Sequence, residues 1–165
     1  MRKLLARSLV AISFTLMIVF VALSLLSCAK RAAPYFLMSE FCSEYGINDT
    51  VFSPSVPEGK DGYISGSFFK TVYGESDDLV CDYAVVFLSS LDNVGECAVF
   101  LCYSDYDALL ACDILYRRIE LLKSMGTGMD TSYVLDASVF KSGKYVVMCA
   151  LSDNVRAEKI WRKIL

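Results

Sequence analysis

Apolar positions change their spacing several times along this chain. From Ser8 to Leu26 they form an uncharged run, preceded by basic Arg2, Lys3 and Arg7 and followed by Ser27 and Cys28. After a short tether, Pro34 sits where the first turn of a helix tolerates a missing N–H. Met38, Phe41, Cys42 and Tyr45 then recur at helical spacing, and Gly46 can close that helix. Residues 47–60 contain Asn48, Asp49, Pro54, Pro57 and Gly59 and read as a loop. Ile64, Phe68 and Val72 share a helical face and predict a short helix over 63–73, ended by Gly74, with Gly62 and Gly66 as its weak points.

From residue 80 the pattern becomes regular. Tyr83–Leu88 and Cys97–Tyr103 are short apolar runs separated by Asp92, Asn93 and Gly95, which predicts a β-hairpin. Ser104 and Asp107 are spaced as a capping box for a long helix, one face of which carries Leu109, Cys112, Tyr116 and Ile119, with Leu115 and Leu122 beside them. The same order then repeats. Tyr133–Phe140 and Lys144–Leu151 predict strands joined at Ser142-Gly143, and Ser152-Asp153 cap a final helix with Val155, Ile160 and Trp161. Two strand–strand–helix units predict an α+β fold with a four-stranded antiparallel sheet and helices on one face, preceded by a signal helix. The strands are more apolar than a sheet with one wet face needs. Either the first helices cover the second face, or that face is a binding surface. The divisions expected are a leader over 1–27, a tether, helix and loop over 28–60, and the main domain over 61–165.

The composition removes more functions than any motif supplies. The chain has 165 residues and no histidine. That excludes Ser-His-Asp and Cys-His catalysis, His-ligated zinc and histidine pH switching. The formal charge of −3 becomes −6 once Arg2, Lys3 and Arg7 leave with the leader. An acidic domain is not built to hold phosphates, so no nucleic-acid partner is expected. A chain of this length can bury a core without a metal or a disulfide, and no cofactor is expected.

The leader has a basic start, an apolar centre and a small residue before the cut, as a secretory signal does. Leu25-Leu26-Ser27-Cys28 resembles a bacterial lipobox, which makes Cys28 the site of lipidation. One acyl chain binds a membrane marginally and two or more anchor stably. The alternative is an uncleaved helix, since 19 residues from Ser8 to Leu26 can just span a bilayer. Both place the domain on the extracytoplasmic face of the cell membrane.

Several segments together resemble a known family. They are Tyr73-Gly74 after the aromatic-rich short helix, Asp82-Tyr83-Ala84-Val85, Glu96-Cys97-Ala98-Val99-Phe100, and Tyr116-Arg117-Arg118-Ile119-Glu120. The hairpin from Val139 to Val146 and the pair Ser152-Asp153 complete the pattern. Over residues 60–165 the chain is similar to small bacterial lipoproteins grouped as domain of unknown function 4358. The resemblance implies a lipid-anchored extracytoplasmic protein and brings no activity or catalytic residues. The cysteine content here departs from the usual look of that group.

Six cysteines follow Cys28: Cys42, Cys81, Cys97, Cys102, Cys112 and Cys149. Most sit in apolar elements, where cysteine acts as a small hydrophobe. An even count in an exported chain also allows disulfides, in any of fifteen connectivities. No C-x-x-C occurs, and Cys97 and Cys102 should face opposite sides of one strand. Asp105 and Asp107 lack the further oxygens of a calcium loop and read as helix caps. Gly126-Thr127-Gly128 lacks the lysine of a phosphate loop and reads as a turn. Arg117 and Arg118 are a candidate anion or partner contact, against the plainer possibility of a solvated helix face near Glu120. Phe68, Phe69, Tyr73, Tyr103 and Tyr106 would mark a partner site if they form one exposed patch. The expected function is a non-enzymatic binding or interaction module, with an envelope protein as partner. The alternative is a small-ligand binder with a pocket between sheet and helices. An enzyme would need a cleft joining two of Asp77, Asp78, Asp105 and Asp107.

Overall fold

The computed structural model describes residues 32–75, 77–88, 94–125 and 130–165. The leader, Cys28, the turn residues Asp92-Asn93 and Gly126-Thr127-Gly128 lie outside the described residues. The first helix, α1 (Pro34–Tyr45), buries Pro34, Leu37, Met38, Phe41 and Cys42, one face of a 3.6-residue repeat. It stops at Gly46, whose φ of 93° is left-handed and brings its N–H to the carbonyl of Cys42.

The chain then forms a two-residue strand, β1 (Val51–Phe52), within what the sequence pattern reads as loop. The short helix that follows, α2 (Ser67–Tyr73), starts four residues later than predicted. Residues 62 and 63 are held by the strand region instead: the Gly62 carbonyl accepts the Ser53 N–H, and Tyr63 bridges to Ser53. Gly62 has a φ of 86°, and a Cβ there would strike the Val51 carbonyl, so the backbone cannot enter a helix at that point.

The hairpin β2 (Val80–Phe87) and β3 (Glu96–Cys102) forms as expected, pairing Tyr83 with Phe100 and Val85 with Ala98. The long helix α3 (Asp105–Ser124) begins at Ser104, whose hydroxyl accepts the Asp107 N–H and donates to the Asp107 carboxylate. In the second unit the predicted strand over Tyr133–Phe140 is divided. Its first half is a helical turn, α4 (Ser132–Leu135), whose first N–H, that of Ser132, donates to the Asp130 carboxylate. Its second half is β4 (Ser138–Ser142), paired with β5 (Tyr145–Ala150). The last helix, α5 (Asn154–Ile164), is capped by Asp153, which accepts the Arg156 N–H.

The sheet is therefore five-stranded, not four-stranded, with order β1-β2-β3-β5-β4 and every pair antiparallel. The helices do not share one face. Tyr83, Val85, Ala98, Phe100, Val146 and Met148 point towards α2, α3 and α4. Ala84, Val86, Cys97, Val99, Val147 and Cys149 point the other way, towards α1 and α5. Covering both faces explains why the central strands lack polar alternation. The first helix does cover the second face, and α5 joins it there.

On that second face Phe41 stacks on Trp161 with ring centroids 4.7 Å apart, and Tyr45 stacks on Phe41 at 5.5 Å. Trp161 is fully buried. Truncating it opens a cavity between α1, α5 and the sheet. Trp161→Ala should cost about 3–5 kcal/mol in urea unfolding, whereas Val155→Ala, at an exposed position of the same helix, should change stability by about 0.5 kcal/mol or less.

Candidate functional site

The two candidate arginines are neighbours on α3 but point in different directions. Arg117 is exposed and pairs with Glu75 at 2.8 Å. Such a pair contributes little, about 0–1 kcal/mol. Arg118 lies on the face that also carries Ile114, Leu115 and Leu122, all buried. Its side chain runs inward and is 11% exposed, so it is not part of a solvated helix face. It meets Glu96, the first residue of β3, whose side chain is 1% exposed.

The contact is two-pronged. Arg118 Nε donates to Glu96 Oε2 at 2.9 Å and Nη2 donates to the same oxygen at 2.6 Å. Arg118 Nη1 donates to the Val72 carbonyl at 3.2 Å. The second carboxylate oxygen, Oε1, accepts from the Tyr73 hydroxyl at 3.1 Å. Tyr73 is the last residue of α2, and the Arg118 guanidinium stands 5.8 Å from the centre of its ring. One strand and two helices are thus tied at a single carboxylate. Burial pushes the Glu96 carboxyl up from its ordinary range, and Arg118 and Tyr73 pull it back. Burial, with the Glu96 charge behind it, also holds the Tyr73 hydroxyl well above its usual value, so it remains a donor. Both carboxylate oxygens are engaged, so the anion that Arg118 clamps is the protein's own.

The sequence did not single out Glu96 as a site residue, and offered Tyr73 only as a member of a possible exposed aromatic patch, whereas it is buried. The signal was present in two places. Glu96 shares a strand face with Ala98 and Phe100, so an acid there faces the core. Arg118 falls in register with buried Ile114 and Leu122. Two opposite charges on two buried faces require each other.

The exposed surface of α3 differs from its inner face in a way the sequence only partly shows. Phe69 and Tyr73 belong to the core, and Phe68 packs on Phe87. Tyr103 and Tyr106 are exposed, as are Leu109, Tyr116 and Leu121 on the same helix. The Tyr116 hydroxyl reaches the Val139 carbonyl of edge strand β4 at 3.5 Å. Charged side chains stand among them: Asp113, Arg117 and Glu120 are exposed on the same outward side of the helix, with Lys123 paired to Glu120 at 2.8 Å.

A cleft of about 440 Å³ lies where α4 approaches the start of α5, lined by Ser132, Asp136, Ser152, Asp153 and Asn154. Much of its polar lining is committed to the fold. Asn154 Oδ1 accepts the Leu151 N–H at 2.8 Å, its amide donates to the Tyr133 carbonyl, and Asp153 caps α5. Between the sheet and α3, by contrast, Phe69, Phe100, Leu115 and Met148 are fully buried. Among the described residues no three cysteine or carboxylate side chains gather to hold a metal ion, and no helix is long and apolar enough to cross a membrane. No family model, curated protein or solved structure matches this chain.

Removing Arg118 strands a buried carboxylate. Arg118→Met should cost about 3–5 kcal/mol at neutral pH. The variant's Glu96 then titrates further above its unfolded value, because burial remains and the cation is gone. A raised folded pKa means the native state holds the extra proton, so stability is present at acid pH and lost as pH rises. Urea midpoints of wild type and variant should therefore converge towards the ordinary carboxylate range and separate as pH climbs to 7.

Proposed function

We propose that this chain is a lipoprotein, held at the extracytoplasmic membrane face by acyl groups on Cys28, whose domain acts by binding an envelope protein rather than by catalysis. The observation that carries the binding role is the outer surface of α3. Tyr106, Leu109, Tyr116 and Leu121 are exposed along one helix, with Tyr103 just before it. Exposed large aromatic and aliphatic side chains, here standing among charged ones, are what protein interfaces use for affinity. The same helix spends its inward cation, Arg118, on Glu96.

The leader supports the anchor. Its basic start, apolar run and Leu25-Leu26-Ser27-Cys28 end supply the parts that export and lipidation need. The resemblance to domain of unknown function 4358 agrees with this and adds no chemistry. The absence of histidine in the whole sequence removes the commonest general base.

A second reading, binding of a small polar ligand, is favoured by the cleft beside α5 and not by the layer between sheet and helices. Its size suits a small molecule, at the lower end of the usual range of about 300–1,000 Å³.

Two measurements test the proposal. Mass spectrometry of the mature chain should find diacylglyceryl on Cys28, and Cys28→Ala should abolish it. Cross-linking in intact cells should capture one reproducible envelope protein, and Tyr106→Ser with Leu109→Ser should lose it while the unfolding midpoint stays within about 0.5 kcal/mol of wild type. Capture of no envelope protein, or capture unaffected by these changes, contradicts the partner role and directs attention to ligands of the cleft.

A further inference from the structure

Cys97 of β3 and Cys149 of β5 stand directly opposite each other in an antiparallel pair. Their sulfurs are 3.9 Å apart, and both side chains are fully buried. The hydrogen bonds around them identify what kind of pair this is. The Cys102 N–H donates to the Lys144 carbonyl at 2.9 Å, and these two residues are opposite in the same register. They form a hydrogen-bonded pair, and such pairs alternate with non-bonded ones along an antiparallel ladder. Five steps along each strand lead to Cys97 and Cys149, which are therefore a non-bonded pair.

The other edge of β3 agrees. The Leu88 N–H donates to the Gly95 carbonyl at 3.0 Å, so alternate residues from Gly95, including Cys97, direct their backbone bonds towards β2. At non-bonded pairs the α-carbons are about 4.5 Å apart and the side chains lean together. That spacing lies inside the range a disulfide spans.

Cys81 is exposed, and the other three thiols are sorted by face. Cys102 packs on the α3 side of the sheet, where Cys112 lies against the same core. Cys42 of α1 shares the face of Cys97 and Cys149, and is the competitor to consider. It sits on a helix laid over the sheet, not on a neighbouring strand in register.

We propose that the exported chain carries a disulfide between Cys97 and Cys149 that fastens β3 to β5. The proposal rests on export to an oxidising compartment. The bond forms by two thiol–disulfide exchanges with a disulfide-bearing oxidant. The thiolate of Cys97 attacks a sulfur of the oxidant, giving a mixed disulfide and releasing one oxidant thiolate. The Cys149 thiolate then attacks the Cys97 sulfur and expels the second. Two electrons pass to the oxidant, which leaves as a dithiol, and the two thiol protons go to it or to water.

The order of events follows from burial. In the folded domain the Cys97 thiol is pushed well up by desolvation and by its neighbour Cys149, so little of the attacking thiolate exists. The Cys42 thiol on the same face is pushed up to about 12. Exchange belongs to the stage when β3 and β5 have paired and α1 and α5 have not yet closed over them. Once covered, the bond is out of reach of reductants, as structural disulfides are.

The test uses the full-length protein from its own cells, quenched in acid, alkylated under denaturing conditions and digested without reduction. The expected product is one peptide pair joining Cys97 to Cys149, two hydrogens lighter than the free peptides, which separates on reduction. Alkylation of both cysteines, or a Cys42–Cys97 link in their place, overturns the proposal. The same digest reads the lipid on Cys28. Lipid present with both thiols alkylated removes the cross-link and leaves the anchor. A linked pair without lipid leaves the cross-link and removes the anchor.

Discussion

A single carboxylate, buried at the start of the middle strand, constrains the packing of three elements at once. Glu96 is accepted in the core because Arg118 and Tyr73 occupy its oxygens from two different helices. A buried ion pair of this kind is weak evidence for net stability, since taking both ions out of water offsets most of their attraction. Its effect lies in what it forbids. If α3 slides or rotates by one residue, Arg118 leaves Glu96 and both charges are stranded. The Val72 carbonyl, held by the same guanidinium, fixes the end of α2 in the same way. With α3 locked in rotation, the side chains left outside are also fixed, and these are Tyr106, Leu109 and Leu121.

The second constraint is that the sheet has no wet face. α2, α3 and α4 cover one side, while α1 and α5 cover the other. β3 is consequently apolar throughout apart from Glu96, and its small residues Ala98 and Cys97 let helices approach on either side. The stack of Trp161, Phe41 and Tyr45 closes the second layer and joins the two ends of the domain.

Periodicity in the sequence showed the hairpin of β2 and β3, the capped helix α3, the β4–β5 turn and the capped helix α5, because each depends on local signals. The excess of apolar residues in the strands also showed that the second face was either covered by the first helices or a binding surface. What it left open was non-local. β1 is two residues long and exists only because Val51 and Phe52 meet Val86 and Val85 across the sheet. The side of the sheet chosen by α5 depends on a partner in α1, more than a hundred residues earlier. At Ser132 a helical turn stands in place of the strand pattern, with its first N–H held by the Asp130 carboxylate. Arg118 was noticed for its charge, but its partner Glu96 could be found only by placing both on buried faces. The aromatic residues grouped as a possible patch divided between core and surface, which sequence spacing alone does not resolve.

The central claim is that the outer surface of α3 is occupied by a protein when the domain is at its membrane. Carbene footprinting reads this directly, by comparing labelling of Tyr106, Leu109 and Tyr116 in intact cells with labelling of the purified full-length protein. Strong protection of these three in cells, with exposed Val155 labelled equally in both, is the predicted result. Equal labelling at all four positions would contradict it.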